Sequence, residues 1–247
     1  MSAGTHALRA EWTKFSTLRS QWITPLIAVV LTVGITYAVN AAYGEVDTSL
    51  TEEPTLGLTY GLLFGQVAVV TTGILLIGQE YGSGTVRGSL TAVPRRGVLY
   101  GGKLLLGGGL GLLTGLLSVA GSYLAVASTS VGVDLSRPGT VRSVVAEVLY
   151  HPLLLVICLG VTTMMRNLTA AVIVLTPTVF LGTTFLSALP GVGRVARFLP
   201  DRAGQYAFHY GPEPDAPYGH GTALLIMAAW AALAAYGGLR TLRRRDA

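Results

Sequence analysis

Charge is what this chain has least of. Only 12% of its 247 residues are Asp, Glu, Lys or Arg, about half the share of a soluble domain, which excludes an ordinary water-facing surface. Cysteine is nearly absent too. The lone Cys158 rules out a disulfide within the chain and argues against a thiolate metal cluster. No paired carboxylates, nucleophile–base arrangement or metal-ligand spacing stands in the apolar stretches, so an embedded enzyme finds little support. What the chain has instead is apolar sequence: 51% hydrophobic residues and a mean hydropathy of +0.58.

That apolar sequence falls into six runs, about residues 23–42, 56–78, 104–127, 144–165, 168–189 and 221–238. Each is close to the roughly 20 residues a helix needs to cross a bilayer. A helix satisfies its own backbone polar groups, as lipid demands. The expectation is an all-α integral membrane protein with six transmembrane helices, one domain over residues 1–247. Pro152 and Pro177 fall inside runs four and five and predict kinks rather than breaks. The polar lead before the first run is too long for a signal-peptide n-region, so that run, despite "VNA" at 39–41, reads as a retained helix.

Basic residues are unevenly shared between the two sets of connections. The N-terminal lead, the 79–103 loop, the Arg166-Asn167 turn and the C-terminal tail hold twelve of the 17, and the opposite loops hold the other five with most of the acids. The positive-inside rule then puts both termini in the cytoplasm of a multi-pass protein of the plasma (cytoplasmic) membrane. The formal charge of +5 is accounted for by topology, and nucleic acid is not an expected partner; the lipid bilayer is.

The lead reads "HALRAEWTKFSTLRSQW". Plotted at 100° per residue, Leu8, Trp12, Phe15, Leu18 and Trp22 share one side, as in an amphipathic interfacial helix over residues 6–22. It is either a generic juxtamembrane anchor or an elbow lying on the membrane surface and feeding the first span.

Between runs two and three stands "GQEYGSGTVRGSLTAVPRRGVLYGGKL". Gly97, Gly102 and Lys103 imitate a phosphate-binding loop, but the position whose hydroxyl should hold Mg²⁺ is Leu104, and an apolar run follows. The chance match leaves a loop with structure of its own. Gly82 and Gly84 suit a turn, Thr85 can cap a short helix to Thr91, and Pro94 stops it before Arg95 and Arg96. Such a segment is either a plug for a cytoplasmic partner or a solvated loop whose arginines set topology.

Glu80-Tyr81, Gly84-Thr85, Arg87, Leu90, Pro94, Arg95, Arg96 and Lys103, in that order between spans two and three, resemble the loop of the type-2 ABC exporter permease family. The six spans and amphipathic lead are similar as well, so the likeness runs along nearly the whole chain, with this loop its most specific part. The resemblance implies that the loop is a coupling helix docking into a separate ATPase subunit, present in two copies. It also implies a second permease copy, giving a homodimer, or a paralogue in its place. ATP and Mg would then sit on the partner, with no cofactor or metal on this chain, which would be a transport subunit and not an enzyme. The short 43–55 and 128–143 loops place it among the minimal members.

Three features stand outside that likeness. Gly107, Gly111 and Gly115 make a small-residue stripe suited to close helix packing, within one subunit, between subunits or along a pore. Glu147 and His151 share a helix face near the outer end of run four. They admit three readings: interfacial hydrogen bonding, a proton relay, or a metal site short of ligands. The relay defines the alternative function, a proton-coupled secondary transporter. Segment 190–220, rich in Tyr and Phe, is either an aromatic belt with an ordinary loop or, as the resemblance implies, re-entrant helices capping the path.

Overall fold

A computed structural model of the chain describes residues 3–43, 59–92, 95–129, 136, 139–182, 186, 193–210 and 217–244. Every element among them is helical. They are α1 (Ala3–Thr17), α2 (Arg19–Tyr43), α3 (Leu62–Ser83), α4 (Val86–Ala92), α5 (Arg96–Ala127), α6 (Thr140–Met165), α7 (Leu168–Pro177), α8 (Gly193–Ala196), α9 (Pro200–Phe208) and α10 (His220–Arg244). The all-α expectation holds for the described residues.

Five of these helices, α2, α3, α5, α6 and α10, are long and apolar enough to cross a membrane, with mean hydropathies of 1.7 to 2.2. The protein is therefore read as a multi-pass membrane protein. Where a fifth of six spans was expected, the described residues form a shorter apolar helix, Leu168–Phe180, below the length needed to cross a membrane. Its Pro177 has no N–H to give the helix, and the backbone continues from there as a π-helical turn, Thr178–Gly182. The far part of that expected span, residues 183–185 and 187–189, lies outside the described residues, as does the start of the second span at 56–58. Pro152, by contrast, sits within an uninterrupted α6.

Two expected boundaries move. The lead is not one helix over 6–22: α1 ends at Thr17 and α2 begins at Arg19, so Trp22 belongs to the first turn of the long apolar helix. Leu18 between them keeps the chain hydrogen-bonded, donating to Lys14 O and accepting from Gln21 N–H at 3.0 Å each. Helix α5 starts at Arg96, not near 104. Its 32 residues span about 48 Å, well beyond a bilayer core of about 30 Å.

Local chemistry fixes the other ends. Gly84 ends α3 in the left-handed region at φ 72°, a conformation that glycine adopts without steric cost. Only this glycine of the expected turn takes a positive φ; Gly82 stays in the last turn of α3. At the start of α7, Asn167 Oδ1 accepts the Ala170 N–H at 3.0 Å, a side-chain cap.

Helices α2, α3, α6 and α5 form a ring in that order. Each packs on its two neighbours, and the diagonal pairs scarcely meet. Helix α10 covers the outer side of α6, α7 lies on α3, α1 lies on α5, and α9 wedges between α6 and α10. The glycine stripe makes the seam between α5 and α6. A Cβ on Gly107 would stand 2.8 Å from Leu155 Cδ2, one on Gly111 2.5 Å from Pro152 Cα, and one on Gly115 2.6 Å from Val148 O. The stripe is thus used for packing within the subunit, where its missing side chains let two backbones meet.

Candidate functional site

The short helix α4 hangs between α3 and α5 at the end of the ring that also holds α1, the α6–α7 turn and the C-terminal end of α10. Most of the basic residues gather there, so it is called the basic end below. The Thr85 carbonyl accepts the Ser89 N–H at 3.0 Å, and the Thr85 hydroxyl lies 2.9 Å from Ser83 Oγ. Val86 is buried, whereas Thr85, Gly88 and Thr91 are exposed.

Beneath α4 lies a group of four charges drawn from three helices. Lys103 of α5 is only 2% exposed. Its Nζ donates to Glu11 Oε2 and Glu80 Oε1, both at 2.7 Å, and to the Leu76 carbonyl at 3.3 Å. Lys14 of α1 donates to the same Glu80 oxygen at 2.8 Å, to Glu11 Oε1 at 3.2 Å and to Ser89 Oγ of α4 at 3.0 Å. Two lysines and two glutamates leave the cluster neutral, as buried ions must be if they are to persist in an apolar surround. Burial works to depress the Lys14 ammonium, but hydrogen bonding and charge from Glu80 and Glu11 outweigh it and raise its pKa above the ordinary value. The cluster joins the lead helix, α3, α5 and the loop helix into one body.

The residues singled out in the sequence are divided by the structure. Glu80 is turned inward and buried, its Oε1 shared by the two lysines. Tyr81 is half-buried with the Arg166 guanidinium 5.8 Å above its ring. The basic pair splits: Arg95 is exposed, but Arg96 Nη1 donates to the Leu242 carbonyl at 2.7 Å, pinning the end of α10. Gly84 and Thr85 form the exposed turn. Arg87 and Leu90 lie on α4 with side chains outside the described residues, and Pro94 lies outside them altogether. The stretch that imitated a phosphate loop, Gly97 to Leu104, is helical throughout, with the Lys103 ammonium committed to carboxylates.

In the lead, Trp12, Leu18 and Trp22 are exposed while Phe15 is buried, its ring 5.6 Å from Trp12; the Leu8 side chain lies outside the described residues. Glu11 of the same helix reaches inward to Lys103. Between α1, α2 and α5 runs an apolar groove of about 870 Å³, with Arg9 and Trp12 at one end and Leu113 and Leu117 farther along.

The other end of the ring is polar in a different way. On α2, Thr32, Thr36 and Asn40 are spaced by four and fully buried; on α5, Thr114, Ser118 and Ser122 repeat the pattern. On α6 it is Ser143, Glu147 and His151. Gln66 of α3 accepts a 2.6 Å hydrogen bond from Tyr150. A spacing of four keeps each trio on one helix face. Glu147 and His151 are 1% and 0% exposed, so the expectation of water-facing interfacial hydrogen bonding is overturned: α9, with Phe208 accepting from Ser143 Oγ and Gly204 against the Tyr150 ring, covers this part of α6. The metal reading gains nothing, since no group of three His, Cys, Asp or Glu gathers among the described residues.

A scan of the chain against protein-family models finds no match, and a search of the curated proteins finds no significant relative.

Proposed function

We propose that this chain is the membrane-spanning permease subunit of an ATP-driven exporter, with α4 as the helix that docks into a separate ATPase. The reading carries six spans, α7 with the residues after it supplying the fifth, and an interfacial role for α1. It also sets the basic end in the cytoplasm of the plasma membrane, the direction the Lys and Arg bias favours. Two ATPase copies and a second permease copy complete the assembly, and ATP and Mg belong to the ATPase.

The observation that supports this best is the ion-pair cluster. A solvated loop has no need of buried anchors, yet α4 is tied through Ser89 and Lys14 to Glu80 and Lys103, at the roots of two long helices. A push on α4 would be passed to α1, α3 and α5 together. Its exposed face and Arg95 are left for a partner.

The test is affinity purification from native membranes in mild detergent, with co-purifying proteins sequenced and ATP hydrolysis assayed. A stoichiometric partner carrying a complete G-x-x-x-x-G-K-[ST] loop is expected. Arg95→Glu should release it while leaving the chain in the membrane; Arg96 is a poor probe, because its loss would also free α10. A chain that stays alone after crosslinking removes the reading.

A further inference from the structure

The polar interior at the end of the ring away from the basic cluster holds acceptors with nothing to accept from. His151 Nδ1 lies 3.0 Å from the Glu147 backbone carbonyl. A carbonyl only accepts, so Nδ1 carries the hydrogen and Nε2 presents a bare lone pair. Neither Nε2 nor Glu147 Oε1 has a partner among the described residues, and the hydroxyls of Ser118 and Ser122 on the facing helix have none either. Buried polar atoms are nearly always satisfied in folded proteins, so four orphans on two neighbouring helices mark a place where something else belongs. The missing species is a donor: two of the four atoms can only accept if Glu147 is ionised.

Register sets where it would sit. The Gly115 seam holds the His151 ring against α5, Nδ1 being 3.2 Å from where a Gly115 Cβ would lie. Ser118 and Ser122 are one and two turns further along α5, toward its end at Ala127, and Ser143 and Thr140 lead the same way along α6. Toward the basic end, Leu110, Leu154, Leu155 and Ile74 close the interior. The buried polar side chains of this seam thus lie on the non-basic side of His151, and apolar ones on the other.

We propose that Glu147 and His151 form a proton-binding site exchanging with the compartment at the non-basic end. A proton taken up on the Glu147 carboxylate cancels its charge, leaves a carboxyl O–H that can donate within the seam, and needs no partner from the protein to bring it. No countercharge competes with it. On its own helix stand Arg142, which donates to the His209 and Tyr210 carbonyls, and Tyr150. From α9 come Asp201 and Tyr206, from α10 His220, from α5 Tyr123 and from α2 Tyr37, while Lys103 and Glu80 lie at the other end. The site does not rest on the transport reading above and stands with or without an ATPase.

The test is infrared difference spectroscopy of the full chain in lipid nanodiscs, between about pH 4 and pH 10. A protonated-carboxyl C=O band should be present at the acid end, shift in D₂O and fade as pH rises. It should be missing in Glu147→Gln and remain in Asp201→Asn. His151→Gln should keep the band but move its midpoint by about one pH unit or more, and Ser118→Ala should move it in the same experiment if Glu147→Gln does not fold. The proposal is overturned by a band set unchanged in Glu147→Gln, by a Glu147 band that neither titrates nor exchanges, or by loss of that band on adding Na⁺ or K⁺ at constant pH, which would make the occupant a metal cation.

Discussion

The two ends of the α2–α3–α6–α5 ring bury charge in opposite ways. At the basic end Glu11, Lys14, Glu80 and Lys103 bring their countercharges with them, from helices up to 92 positions apart in the chain. At the other end Glu147 and His151 come from one helix and bring none. An apolar interior tolerates both arrangements, but for different purposes. The first fixes geometry, because each lysine is held by two carboxylates. The second leaves the Glu147 Oε1 and His151 Nε2 acceptors without a partner among the described residues.

Breaking the paired end should have the largest effect. Glu80→Ala strands the Lys103 and Lys14 ammonium groups beside a single glutamate, and removing one partner from a buried pair costs about 3–5 kcal/mol. Unfolding in detergent would measure this, and Glu80→Leu combined with Lys103→Met should recover most of it. A loss below about 1 kcal/mol in the single variant would mean that the cluster does not join these helices.

The ends should also respond to pH with the same sign, each losing stability as pH rises, but in different ranges. At the non-basic end, burial raises the Asp201 carboxyl from 3.8 to about 6, and Oδ2 has no partner among the described residues. The folded state thus holds this proton more tightly than the unfolded one. Stability is lost as pH climbs from about 4 to about 6, by up to about 3 kcal/mol at 1.4 per unit. Asp201→Asn should flatten that stretch of the thermal unfolding profile; an unchanged profile would place the Asp201 carboxylate in water. Lys14 at the basic end is raised, so its contribution is present below the ordinary lysine range and disappears as pH rises through the higher folded value. Lys14→Met should abolish that alkaline loss.

A smaller effect separates two glycines on α5, between the ends. Gly111→Ala forces a Cβ to 2.5 Å from the Pro152 backbone and should cost about 1–3 kcal/mol, the usual range for overpacking. Gly109→Ala meets nothing within 4 Å and should gain about 0.5–1 kcal/mol from helix propensity. Equal effects would show that the α5–α6 seam is looser than its contacts.

How much of this could be read in the sequence depends on its range. The apolar runs and the every-fourth glycine stripe are local patterns, and both reappear as helices and as a seam. The boundary at Arg96 was hidden because the residues after it, "GVLYGGK", look like loop chemistry, yet they form the first turns of α5 and end on the buried Lys103. The angular plot of the lead treats one helix alone, and so cannot reveal that Glu11 and Lys14 have partners on α3 and α5. Glu147 was placed near water because it lies close to the start of its run. Nothing in the run says that α9 folds back over it. Asp201 and the orphaned serines were missed altogether, though the Thr114, Ser118, Ser122 spacing was there to be noticed inside an apolar helix.

The contact between Arg96 and Leu242 has a consequence for biosynthesis. Helix α10 is made after α1 to α9, yet it covers the side of α6 where a Gly160 Cβ would stand 2.5 Å from the Ala234 backbone. Until α10 leaves the ribosome, that face of α6 must wait against lipid, and the start of α5 must wait for its latch. Helix α10 is therefore a closing wedge, and the α5–α6 side of the ring is completed in time as well as in space only when it arrives.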